Sequence, residues 1–287
     1  MDVASFSTGN VTELLYKAKP LLSFANTPGD AERLIGMIEF IKKDWKGDRP
    51  PRVATLAYEA STSRQGEDPR LFKMAQEKGV EFLPFEYFPF TATDFTTELK
   101  RIYEEKKADY VWLRGQPAQV GVIMKNVARL GLKDKMKWIA CYFGYGDVVK
   151  DIAGLETVVG MYAEGNFALE TEVDNPGLKF VQKIHSKYRT PKIEMNFYLS
   201  GVHLAMVAHE ATRRALEKVG LKKLGGRAIA DQVWGLKNFD VMGLTPPITM
   251  EQGNIALVRS CRMSKVNEEG KLVPISDWMD VPWILGR

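Results

Sequence analysis

Short apolar runs alternate with amphipathic stretches between Arg52 and Asp151. The runs 53–58, 80–86, 110–113 and 138–142 read as strands. Between them, Leu71, Phe72, Met74 and Ala75, then Phe95, Leu99, Ile102 and Tyr103, then Val122, Ile123, Val127 and Leu130 recur at helical spacing. Strands alternating with helices predict a parallel sheet covered on both faces. Such sheets take ligands just beyond the carboxyl ends of their strands. The loops expected there, 59–66, 114–117 and 143–147, are rich in polar and aromatic residues. The pattern therefore predicts an α/β fold with a ligand crevice.

The flanking segments extend the pattern. Leu34, Ile38 and Ile41 share one face of a helix predicted over 31–43, with Asp30 placed to cap it. A further strand is expected at 158–162, then helices at 176–188, 196–219 and 226–236. Two runs, 255–263 and 271–275, flank a Gly-containing turn at 267–270 and predict a β-hairpin. At the other end, Ser7 and Thr8 read as a polar loop after a strand, before a very short helix and a strand at 21–24. On this reading the chain opens inside an α/β domain.

Composition narrows the class. With 287 residues, 45% hydrophobic and 26% charged, one large or two ordinary globular domains are expected. No apolar run approaches the roughly 18–20 residues that span a bilayer, and the opening residues, with an acid where a basic stretch would stand, are not expected to act as a secretory leader. The net charge of +4 is spread over alternating Lys and Glu, as in 100–107, so no nucleic-acid partner is expected. Cys141 and Cys261 form no metal or disulfide pattern; Cys141 closes an apolar run and reads as a buried hydrophobe.

No catalytic constellation stands out. His209-Glu-Ala-Thr-Arg213 carries Arg where a zinc-protease helix needs its second His. Gly144-Tyr-Gly146 lacks the third glycine of a dinucleotide fingerprint. Binding is the better reading. Ser7 and Thr8 could offer hydroxyls to a carboxylate, and Asp147 and Glu164 could take an ammonium. Tyr142, Phe143 and Tyr145 could form an apolar wall. Each of these could equally be a capping or half-buried residue, with Asp147 capping the helix after it.

Several stretches, 89–99, 108–115, 128–132, 236–249 and 273–278, together resemble the branched-chain amino-acid binding proteins of ABC transporters, which are type I periplasmic binding proteins. The resemblance covers nearly everything from Pro28 onward. It implies two α/β lobes of parallel sheets flanked by helices, joined by crossover strands and closing like a hinge over a small ligand. It also implies no chemistry, no cofactor, a periplasmic or extracellular location, and docking of the closed form on a membrane permease. The implied division is 1–29 as a remnant of the N-terminal lobe and 30–165 as the C-terminal-type lobe. Residues 166–252 would be the rest of the first lobe, and 253–287 a crossover strand and hairpin completing the second. The first lobe would be incomplete, as in an N-terminally truncated member. By the same resemblance, Ser7 and Thr8 match the family's carboxylate-holding loop. The loops with Ser61, Ser63 and Arg64, with Gly115 and Gln116, and from Tyr142 to Asp147 match its second ligand face. Where family members often carry Tyr, Ser63-Arg64-Gln65 stands here. The expected ligand is an amino acid of the branched-chain type or a similar small carboxylate; the alternative is an intracellular ligand-sensing regulatory domain of the same fold.

Overall fold

The computed structural model describes residues 2–10, 12–188 and 195–286. Its strands are β1 (Ser5–Asn10), β2 (Ser23–Thr27), β3 (Arg52–Tyr58), β4 (Glu81–Phe82), β5 (Glu86–Phe88), β6 (Tyr110–Arg114), β7 (Lys137–Ala140), β8 (Tyr162–Gly165), β9 (Ser260–Val266), β10 (Leu272–Pro274) and β11 (Met279–Asp280). The chain divides into two compact units. Unit 1 holds residues 1–32, 166–260 and 280–287, and unit 2 holds 33–165 and 261–279. The first unit thus includes 253–260 and 280–287, which the sequence reading placed with the second.

Unit 2 is built on β3 to β10. Its sheet runs β10-β9-β8-β7-β6-β3-β4, with β5 also paired to β3. The pairs from β3 to β8 are parallel, and β9 joins β8 antiparallel, so the sheet is mixed. Register aligns Leu56 with Leu113, Leu113 with Ala140, and Ala140 with Ala163. That row faces a core with Val120, Ile123, Met124 and Val127 of helix Pro117–Arg129. The next helix, Asp147–Ala153, lies close against it: a Cβ on Gly121 would stand 2.9 Å from Ile152 Cβ.

Three differences from the sequence reading have local causes. The run 80–86 forms two short strands, because Pro84 has no N–H to give the ladder. The helix over 31–43 is broken into Asp30–Gly36 and Ile38–Asp44, next to Gly36, a poor helix former. The strand placed at 158–162 begins at Tyr162 instead. Gly154 and Gly160, with φ of 86° and 88°, frame a short helix Leu155–Val158 and a turn there.

Unit 1 carries a two-stranded parallel sheet of β1 and β2, with Ala25 of β2 bridged to Ala256. Phe24 packs on Phe6 at 5.7 Å and on Trp234 at 5.0 Å. Helices Pro176–Tyr188, Met195–Val219 and Gly226–Trp234 complete it. Ser7 and Thr8 lie inside β1 rather than in a loop after it. Among the described residues, no helix is long and apolar enough to cross a membrane.

Candidate functional site

The parallel strands of unit 2 bring their carboxyl ends to one edge, and the polar residues gather there. Arg114 is the last residue of β6, an otherwise apolar strand, and is 4% exposed. Its guanidinium lies between two rings, 5.1 Å from the centroid of Tyr58 at the end of β3 and 4.4 Å from that of Phe143 beyond β7. Guanidinium stacked on aromatic faces is held in one orientation while its N–H edge stays directed. Just after β3, Ser63 is fully buried and its hydroxyl has no hydrogen-bond partner among the described residues. A buried hydroxyl left so is uncommon.

A second charged group lies under the same edge. Glu164 of β8 and Arg33 form an ion pair with both side chains fully buried. Arg33 Nε donates to Glu164 Oε1 and Oε2 at 3.1 Å each, and its Nη2 donates to Oε2. The Arg33 guanidinium lies 4.8 Å from the Tyr142 ring centroid and 5.3 Å from that of Trp112. Glu164 therefore stands inside its strand, matched by a cation, and not past the strand's end as the sequence suggested.

The remaining expected residues are distributed as follows. Tyr142 is half-buried and meets Phe143 edge-on at 4.7 Å. Gly115 is buried directly after β6, and Gln116 opens helix Pro117–Arg129, its N–H donating to Gln119 Oε1 at 2.9 Å. Ser61 and Arg64 are exposed on the short helix Ser61–Arg64, and Arg64 pairs with Glu59 at 2.5 Å. Asp147 begins its helix and pairs with Lys150 at 2.7 Å. Tyr145 is buried and turned away from this edge into the core, its hydroxyl donating to Gly270 O at 3.0 Å in the hairpin turn. Ser7 and Thr8 are exposed in unit 1, where Ser7 Oγ accepts the Gly9 N–H at 3.1 Å. The edge thus joins Ser63, Gly115, Gln116, Tyr142 and Phe143, together with Tyr58 and Arg114. The last two escaped selection, although a charged residue ending an apolar strand was a visible signal for Arg114. A cavity of about 360 Å³ lies at the opposite, amino-terminal edge, lined by Trp45, Asp109, Lys137, Trp138 and Tyr162, and none of the candidate site residues lines it.

Unit 1 has a buried polar centre of its own. Asn26 Nδ2 donates to Ser200 O and Oγ at 2.9 and 2.8 Å, and its Oδ1 accepts from His203 Nδ1 at 2.7 Å. His203 Nε2 lies 3.4 Å from Thr245 Oγ1. Burial pushes the His203 imidazole down to about 3, so it stays neutral.

An α/β fold with polar and aromatic groups gathered at strand carboxyl ends defines a class of proteins suited to hold a small ligand. The chain belongs to the periplasmic binding protein family, which it matches over residues 18–271. Solved structures share the fold. One is a branched-chain amino acid ABC transporter from Thermus thermophilus with bound valine: 23% identity, TM-score 0.78, covering 95% of this chain and 71% of that one. A leucine binding protein from Thermotoga maritima matches at 18% identity and TM-score 0.73, covering 96% and 72%. A solute binding protein of an ABC transporter from Rhodopseudomonas palustris, in complex with 3,4-dihydroxybenzoic acid, matches at 18% and 0.70, covering 96% and 72%. Comparison with curated protein sequences gives no match.

Proposed function

We propose that this chain is the solute-binding component of an ABC transporter for an amino acid of the branched-chain type or a similar small carboxylate. Its partner is then the transporter's membrane permease. The observation that carries the reading is the Arg114 guanidinium, set between Tyr58 and Phe143 at the carboxyl edge of a parallel sheet. A guanidinium fork is matched in shape and charge to a carboxylate. The adjacent rings supply apolar walls for the rest of a small solute. The solutes bound in similar structures, valine and 3,4-dihydroxybenzoic acid, are both small carboxylates.

A thermal melt of the purified chain with a panel of amino acids and other small carboxylates tests the reading. A ligand at a hundredfold over its Kd stabilises by about 2.7 kcal/mol. The expected result is one chemical class raising the melting temperature in a saturable way, with the solute recovered unchanged. A melt that no carboxylate moves contradicts it.

A further inference from the structure

We infer that the bound acid carries no ammonium group, and that Arg33 is the residue that sets this preference. The inference rests on the small-carboxylate reading above and narrows it. An α-amino acid brings a cation that must meet an anion once it leaves water. At the unit 2 edge the acid best placed by burial is Glu164, and both of its oxygens are taken by Arg33. That pair is fully buried and clamped by the Trp112 and Tyr142 rings. An incoming ammonium would have to displace a guanidinium that has no water to retreat into, leaving it buried without a counter-charge.

The other acids near this edge also have partners, the Asp147 and Glu59 pairs being partly exposed and weak. Asp147 pairs with Lys150, Glu59 with Arg64, and Glu86 with Arg101 and Lys106. Glu67 accepts from the Phe85 N–H at 2.9 Å and from the Tyr87 hydroxyl at 3.1 Å. Arg114 is a buried cation at the strand end, stacked on two rings. The edge is built for an anionic group beside an apolar or aromatic body. Arg33 acts through Glu164, so it is a specificity-determining residue that need not touch the solute.

Calorimetric titration of the full chain with matched pairs tests this: leucine against 4-methylpentanoate, and phenylalanine against 3-phenylpropanoate. The amine-free acid of a pair is expected to bind roughly tenfold tighter or more, which is a difference of about 1.4 kcal/mol. An amino acid that binds as tightly as its amine-free partner, or more tightly, overturns the inference and leaves the small-carboxylate reading standing. If neither pair nor any other carboxylate binds, that reading falls and this inference with it. The R33Q variant exposes Glu164 and should narrow the gap within a pair by a similar factor. If R33Q gives no cooperative melt, R33K serves, since one ammonium cannot hold both oxygens as the fork does. A gap unchanged in the folded variant removes Arg33 from the assignment.

Discussion

The two units hide polarity in opposite ways. Unit 1 satisfies its buried polar groups by hydrogen bonds: His203, Asn26 and Ser200 satisfy one another, and the buried Glu32 accepts the Gly29, Ile284 and Leu285 N–H groups. Unit 2 buries a full charge pair, Arg33 and Glu164, beneath a wide mixed sheet. The first arrangement fails when a proton arrives, and the second fails when one partner is removed. The chemical character of each unit's interior therefore predicts which perturbation it will feel.

The largest effect is expected from R33M. Breaking a buried pair strands the other charge, so unfolding by urea should show a loss of about 3–5 kcal/mol. The double variant R33M/E164L should recover most of that loss, because two apolar side chains of similar volume replace the pair. If the double variant is as unstable as the single, stacking of Arg33 on Trp112 and Tyr142 matters more than the charge pair.

Acid should act on unit 1 next. In the folded chain His203 titrates at about 3 and its ordinary value is 6.5, so the unfolded chain binds the extra proton between those values. Stability is thus complete above about pH 6.5 and is lost as pH falls toward 3, by up to about 1.4 kcal/mol per pH unit. Between pH 7 and pH 5 the expected loss is about 2 kcal/mol. H203Q should flatten that slope; an unchanged slope assigns it to other groups.

Smaller effects sharpen the contrast between groups at the edge and groups behind it. Y145F removes a buried hydrogen bond to Gly270 O and should cost about 1 kcal/mol while leaving solute affinity unchanged. A loss of affinity would return Tyr145 to the site. R64A removes an exposed pair with Glu59, and its melt should coincide with that of the parent chain.

The sheet of unit 2 was legible because β3, β6 and β7 are apolar runs separated by helical spacing, a strictly local signal. Where local signals conflicted, positions slipped. Val158 and Val159 are apolar enough for a strand, yet the glycines around them turn the chain and β8 starts at Tyr162. Ser7 and Thr8 are polar enough for a loop but lie in β1, on an exposed stretch. The Arg33–Glu164 pair had no sequence signature at all. Its members are 131 residues apart, and Arg33 sits in a helix where a charged residue usually marks the solvent face. Expecting Glu164 to meet a ligand ammonium was chemically sound for an acid at a strand end. What the sequence could not place was the arginine that reaches it first.

The central claim is that the Arg114 edge of unit 2 binds a small carboxylate, and R114M tests it most directly. Methionine keeps the stem and bulk of the side chain while removing the guanidinium. Calorimetric titration of the parent chain with the panel's best carboxylate should give saturable binding. The folded variant should lose roughly tenfold or more of that affinity, as expected for a charge-assisted contact worth about 1.5–3 kcal/mol. Binding unchanged in R114M, with a melt like the parent's, would contradict the account and move the site elsewhere.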